Sequence, residues 1–470
     1  MKTFLHRALK TLGVLAVLLL LFHLVENWRG KRAWEQWKQS REAQGDHFDF
    51  AAFIPPPVPD EQNFATHPLI AGPVSGKEWE GMPSPNLITN LDPSILGDWR
   101  TGTVIDLPAA RAALKAQDLD AVLATYAAPL DQLAVAAKRP QSRMLNSYTN
   151  FEDIPALIGF RAVIRVLRFR ALVRLQQGRT DAALEDTLTG LRVIQHLQKE
   201  PYLICQLLRA AMVNLMLQSV WEGVAAHRWN EAQLAELQRS LEPVDLLASF
   251  RLSFMAERSY TLQALQKLSK RSLWARIRNP YPTLIENPSW SQGLLSLLFI
   301  PKGWAYQNAV RREAFFLAEF GIPIDPVRHR IHVEEQKRVL AEIEGRSRSP
   351  YSFNEKQEAP LMVAQNIRFA RSQSAIDQAI VACSLERFRL AKGDYPAALE
   401  ALVPAYAKAL PNDLVSGEGL HYERLDKDHF RLYSIGWNLQ DDGGQAALDP
   451  KDQRKPDQEQ GDWVWAAKRP

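Results

Sequence analysis

Residues 364–396 read AQNIRFARSQSAIDQAIVACSLERFRLAKGDYP. Ile376, Ala379, Ile380 and Cys383 recur at the spacing that lines one face of an α-helix. Gly393 stands where the helix needs a left-handed cap, and Pro396 prevents its continuation. The period then changes. A short helix is expected in PAALEALVPAYAKAL (396–410), followed by two strands, LHYERL (420–425) and HFRLYSI (429–435), joined at residues 426–428. Alternation puts Phe430, Leu432 and Ser434 on one face and Arg431, Tyr433 and Ile435 on the other. After a charged tail, GDWVWAAK (461–468) offers a last strand through Trp463 and Trp465. A long helix on a small antiparallel sheet is an α+β unit, expected over residues 360–470.

Upstream, residues 106–350 carry helical periodicity. In TDAALEDTLTGLRVIQHLQ (180–198), Ala183, Leu184, Leu188, Leu191, Ile194 and Leu197 form an apolar stripe. Gly178 separates this helix from the preceding one, with Thr180 or Asp181 as the expected N-cap. The pair looks like one tetratricopeptide hairpin, but no copy recurs at a 34-residue period, so an irregular α-helical domain is expected. The fold class is mainly α: an N-terminal transmembrane helix, an irregular α-helical domain, and a small C-terminal α+β module with an antiparallel sheet.

The transmembrane helix is read in MKTFLHRALKTLGVLAVLLLLFHLVENWRGKR (1–32). Basic residues Lys2, Arg7 and Lys10 precede an uncharged run over 11–25, which at a rise of ~1.5 Å per residue covers roughly 22 Å, extended by a snorkelling Lys10. FHLVENW offers no small-x-small cleavage site, which favours an uncleaved anchor over residues 1–28 with Trp28 at the interface. The basic start votes for a cytoplasmic N-terminus, while Arg29, Lys31 and Arg32 vote against. Residues 29–105 are expected to hold a short juxtamembrane helix around Trp34 and Trp37, then an extended spacer through Pro55, Pro56, Pro57, Pro59 and Pro68.

The 470 residues suffice for more than one core, and 46% apolar with 23% charged residues is ordinary globular composition. A formal net charge of +4 arises near the N-terminus, where residues 1–45 carry eight Lys and Arg against three Glu. No concentrated basic surface for nucleic acid results. Cys205 and Cys383 are read as buried hydrophobes, with a single bridge between them as the alternative.

Several stretches tempt a functional reading. Arg161, Arg165 and Arg168 share a helix face and are expected to pair with carboxylates at a packed interface, with binding of anionic lipid or phosphate as the alternative. His329 and His332, with Glu334 and Glu335, could supply two metal ligands but lack the His-Glu-x-x-His arrangement. GLLSLLFIPKGW (293–304) is too short to span and reads as a buried helix ended by Pro301, with a dip into the bilayer surface as the alternative. GPVSG (72–76) misses the nucleophile-elbow spacing, and no P-loop or dinucleotide fingerprint occurs. No catalytic, cofactor-binding or metal residue is therefore assigned, and no cofactor is expected.

The order of the C-terminal elements, KGDYPAALEALVP, LPNDLVSGEGLHY and HFRLYSIGWNLQDDGG, resembles the C-terminal part of the type II secretion major pseudopilin. Gly393, Tyr395 and Pro396 match its Gly-x-Tyr-Pro. Pro411 and Asp413 match its Pro-x-Asp-Pro, with Leu414 replacing the last proline. Ser434 and Gly436 match its Ser-x-Gly-x-Asp, with Asn438 where an Asp is common. The resemblance implies a hairpin closed by a turn at Asp441, Asp442, Gly443 and Gly444, near the family's calcium site. A solvated turn is the preferred reading and calcium ligation the alternative. The family's leader and the Glu of its first helix have no counterpart, so a processed pilin subunit is not expected. The wider layout resembles membrane-anchored envelope proteins of planctomycetes and verrucomicrobia. That implies a bacterial inner-membrane location, single-pass, with the bulk of the chain extracytoplasmic.

The leading expectation is a non-enzymatic envelope protein with a protein-binding or assembly role linked to secretion. Its partners would be the membrane, through the N-terminal helix, and other envelope proteins. Two alternatives are an extracytoplasmic hydrolase with a dispersed site, gathering His196, His227 or His329 with carboxylates, and a tethered ligand-binding sensor.

Overall fold

The computed structural model describes residues 2–71, 86–116, 118–144, 148, 156–267, 300–316, 324–345 and 355–465. In chain order the helices are α1 (Lys2–Glu42), α2 (Pro68–Ala71), α3 (Asn86–Thr89), α4 (Leu107–Leu114), α5 (Leu119–Ala124) and α6 (Ala127–Ala136). They continue with α7 (Ala156–Gln176), α8 (Thr180–Gln195), α9 (Leu203–Ala225), α10 (Glu231–Leu241), α11 (Leu246–Lys267) and α12 (Gly303–Phe316). A minimal hairpin, β1 (Ile324–Asp325) and β2 (Arg330–Ile331), precedes α13 (Val333–Gly345) and α14 (Glu355–Lys392). Strands β3 (His421–Arg424), β4 (Phe430–Ser434), β5 (Ala446–Asp449), β6 (Asp452–Gly461) and β7 (Trp463–Trp465) follow. The chain is mainly helical, with small antiparallel sheets towards the C-terminus.

Two compact units result. One comprises Met1–Phe53, Phe254–Pro323 and Glu334–Ala364; the other comprises Ile54–Ser253, Ile324–Val333 and Gln365–Pro470.

In the first unit, α1 is one helix of 41 residues where a span and a separate juxtamembrane helix were expected. Only Gly30 could have interrupted it, because the linking residues are good helix formers. Gly30 is instead spent on a crossing with α12: a Cβ there would lie 2.1 Å from the Gly303 carbonyl oxygen, and one on Gly303 would lie 1.9 Å from that of Glu26. Further along, Trp34, Leu262 and Ala309 form a small core flanked by Trp37, Phe48, Tyr306 and Val310.

In the second unit, α7, α8 and α9 pack on one another. Gly178, at φ +77°, turns α7 into α8 as its position predicts. The expected side-chain cap is absent: α8 is preceded by Arg179, and Asp181 accepts from Gln233 Nε2 at 2.7 Å instead. Helix α9 is long and apolar enough to cross a membrane, with a mean hydropathy of 1.4, yet it is mostly buried. Its polar residues clamp the chain before α4: Gln218 Oε1 accepts from Trp99 N at 2.6 Å, and Glu222 Oε1 from Ile105 N at 2.9 Å.

The spacer expectation needs correction. Residues 55–59 are free of helix and strand, but from Ile54 onward the chain belongs to the second unit. Phe64, Leu69, Ile70, Ile88, Leu91, Leu96, Trp99 and Ile105 are all buried. Their irregular spacing carries no period, so the sequence pattern did not reveal their common burial.

At the C-terminus α14 starts at Glu355, earlier than its apolar stripe suggests, and stops at Gly393, φ +83°. The expected short helix is reduced to a 3₁₀ turn, Leu399–Leu402, because Pro404 lacks a donor and disfavours helical backbone at Val403. Strands β3 and β4 pair antiparallel with Tyr422 opposite Leu432, and β7 adds to β4 with Trp465 opposite Leu432, as the sequence suggests. The stretch read as a charged tail forms the β5–β6 hairpin.

Candidate functional site

Helix α1 emerges first as a candidate. Its most apolar window has a mean hydropathy of 2.3 and none of it is buried, so the N-terminal helix is long and apolar enough to cross a membrane. Immediately after the run the environment inverts. Glu26, 4% exposed, accepts from Arg29 Nη1 at 2.5 Å and from the Trp304 indole N–H at 3.0 Å. Asn27 Oδ1 accepts from Gly303 N at 2.8 Å, and Phe22 meets the Trp304 ring edge-on at 6.2 Å.

Towards its far end α1 enters a charged and aromatic cluster. Arg258, fully buried, bonds Glu313 and donates to Asp46 Oδ2 at 3.1 Å, while Arg41 Nε donates to the same oxygen at 2.8 Å. The Arg258 guanidinium lies 4.9 Å from the Phe48 ring centre and 5.8 Å from that of Trp37, within cation–π range. Burial pushes the Glu313 carboxyl up to about 7 despite Arg258. Burial also opposes ionisation of Asp46, but its two arginine partners hold it below the usual carboxylate range. Beside this cluster lies a cleft of about 550 Å³, lined by Trp34, Phe48 and Leu262 and by Lys38, Glu42, Asp46 and Asp49.

The three histidines of the hydrolase alternative are held separately. His196 stacks on Phe64, ring centres 4.1 Å apart, with Nε2 3.1 Å from the Ala137 carbonyl, and burial lowers its pKa. His227 Nδ1 lies 2.9 Å from Glu386 Oε1, and Glu386 also accepts from Arg389 at 2.7 and 2.9 Å and from the Tyr395 hydroxyl at 2.7 Å. Burial works against that carboxylate, yet these donors pull it down to about 2. His329 Nε2 lies 2.8 Å from Asp377 Oδ2; against the pull of burial, Asp377 keeps this imidazole above its ordinary pKa. Asp377 and Glu386 are nine residues apart on α14, about two and a half turns, so they leave opposite sides of the helix.

The Asp- and Gly-rich turn closes on a carboxylate. Asp462, 1% exposed, accepts from Gly444 N at 2.7 Å and Asp442 N at 3.3 Å. Asp441 accepts from the Tyr433 hydroxyl at 3.1 Å and Gly443 N at 2.9 Å, and Asn438 Nδ2 donates to Asp442 at 2.8 Å. Nearby, the buried Asp413 accepts from Ser434 Oγ at 2.7 Å and from Val415 N and Ile435 N, each at 3.1 Å. Among the described residues no group of three or more His, Cys, Asp or Glu side chains is arranged to hold a metal ion.

Two arginine expectations are corrected. Arg165 donates to the Thr89 carbonyl at 3.0 Å, and Arg168 to those of Leu96 and Gly97 at 2.9 and 2.8 Å, so backbone oxygens take the place of carboxylates. Asp98 and Glu222 favour the Arg168 charge without a hydrogen bond to it, and Arg170 and Arg174 take Asp186, at 2.5 and 2.8 Å. Arg161 is exposed. His332 follows β2 outside any helix, so the spacing that would align it with His329 does not apply. Cys205 and Cys383 are free and buried, and burial pushes the Cys383 thiol up to about 12. GPVSG and residues 293–299 lie outside the described residues.

The Glu26–Trp304 bond, the Gly30–Gly303 crossing, the Arg258–Glu313 pair and the Asp462 cradle were not anticipated. Glu26 directly after an apolar run was their one local signal. No protein-family model matches the chain, and no match was found among curated proteins or solved structures.

Proposed function

We propose that the chain is a non-enzymatic, single-pass protein of the bacterial envelope, held in the inner membrane by α1, whose outer parts bind other envelope proteins. One observation carries this reading. Large apolar side chains from Phe4 to Val25 stand exposed all along α1, while the same helix beyond Glu26 is bonded into a folded unit. Such a helix needs an apolar solvent on one length and water on the other. Lys2, Arg7 and Lys10 ahead of the run support a cytoplasmic N-terminus and an extracytoplasmic bulk. A link to secretion draws on the pseudopilin resemblance, whose two central motifs meet in the Ser434–Asp413 bond.

The test is alkaline extraction of membranes. The full chain is expected to stay in the pellet, and a chain lacking residues 2–25 to be released. Release of the full chain would overturn the reading. A tethered ligand-binding role is the second reading, favoured by the cleft beside Trp34 and Phe48, although its charged lining departs from a closed apolar pocket. A dispersed hydrolytic site gains little support, since Asp377 and Glu386 direct their histidines to opposite sides of α14.

A further inference from the structure

We infer that Lys302 and Trp304, held against α1 through the buried Gly303, form a second point of membrane contact, seating the first unit on the phospholipid headgroups of the bilayer that α1 crosses. The inference rests on reading α1 as a span, and deepens it. The uncharged run ends at Val25, and Phe22 lies three residues inside that end, about 4–5 Å at the helical rise. The Trp304 ring packs edge-on against Phe22 at 6.2 Å, and its N–H is bonded to Glu26, the first charged residue after the run. Gly303 is pinned by Asn27 at 2.8 Å and by its contact with Gly30. Whatever depth the end of the run has, the Trp304 indole shares it.

The chemistry suits that depth. An indole with an apolar flank and a satisfied N–H is an interfacial group. Trp28, 61% exposed, supplies another on α1, with the Arg32 guanidinium 5.2 Å from its ring centre. Arg29, Lys31, Arg32 and Lys302 are all exposed, a set of cations at the level where lipid phosphates would lie. From this point α12 follows α1 away from the membrane, Ala309 packing with Trp34 and Glu313 bonding Arg258 beside Trp37. The occupant is therefore the headgroup layer, reached by a unit fixed to its anchor.

Nitroxide labels on the full-length chain in nanodiscs of mixed zwitterionic and anionic phospholipid test this, with one label each at Leu18→Cys, Lys302→Cys and Ser40→Cys. Oxygen and a water-soluble nickel complex serve as opposing relaxation probes. The Leu18 label is expected in hydrocarbon and the Ser40 label in water. The Lys302 label is expected at an intermediate, headgroup depth, several-fold less accessible to nickel than the Ser40 label. A Lys302 label as accessible as the Ser40 label, with Leu18 immersed, overturns the second contact alone. An aqueous Leu18 label overturns the span itself and the inference with it.

Discussion

Ser434 Oγ donates to Asp413 Oδ1 at 2.7 Å, tying the end of β4 to the loop that begins at Pro411. Both residues are fully buried, and the same carboxylate takes the amides of Val415 and Ile435. Ser434→Ala removes one of three donors to a buried carboxylate, so a loss of about 1–3 kcal/mol is expected. Asp413→Ala leaves all three donors unpaired and is expected to cost more. Urea unfolding of the chain in detergent, followed by circular dichroism, checks the order of the two effects.

Glu386 gives the second unit an acid limit. Its pKa lies at about 2, below the ordinary value of 4.5, because Arg389, His227 and Tyr395 donate to it. A depressed carboxyl pKa contributes stability above the unfolded value and loses it as pH falls through the folded one. The loss is expected between about pH 4.5 and about pH 2 and amounts to roughly 3 kcal/mol at 1.36 kcal/mol per pKa unit. Glu386→Gln is expected to flatten the stability–pH curve in that window.

Glu200 works in the opposite sense. Burial raises its carboxyl to about 7 although Met144 N and the Tyr148 hydroxyl donate to it. The folded state therefore holds a proton that the unfolded chain has released, and stability falls as pH rises from about 4.5 through about 7. Glu200→Gln, which keeps an acceptor without the charge, is expected to reduce that slope, leaving the share due to Glu313, and to stabilise the chain above pH 7. Midpoints of urea unfolding across this range check it.

The glycines of α1 separate two roles. Gly30→Leu drives a side chain into the backbone of Gly303, whereas a Cβ at Gly13 meets nothing within 4 Å. Overpacking of this kind costs about 1–3 kcal/mol. Limited proteolysis within 254–267 and 303–316 is expected to accelerate for Gly30→Leu and to stay unchanged for Gly13→Leu.

How far the sequence could be read depended on period. The stripe Ile376, Ala379, Ile380 and Cys383 announced α14, and alternation announced β3 and β4, although α14 is buried almost all round over residues 372–386 and Leu432, Tyr433 and Ser434 are buried in succession. Phe64 and Trp99 are buried just as fully, but isolated aromatics in turn-rich chain have no period, and their partners His196 and Gln218 lie more than a hundred residues away. The run ending at Val25 was plain, whereas the Glu26–Trp304 bond joins residues 278 apart. Only folding brings those two together.

A charge in the apolar run of α1 tests the proposed anchor separately from the folded units. Leu18→Asp adds about 3 kcal/mol to insertion at the helix centre, while Leu18 is exposed and supports no core. Membrane retention is expected to fall with folding intact, as circular dichroism of the released chain would register.

The most direct measurement is protease accessibility of a C-terminal tag in intact bacterial cells, in cells with the outer membrane opened, and in lysed cells. Cleavage once the outer membrane is opened is the expected result, placing both folded units beyond the inner membrane. Protection until the inner membrane is lysed would contradict the account, because the bulk of the chain would then lie in the cytoplasm.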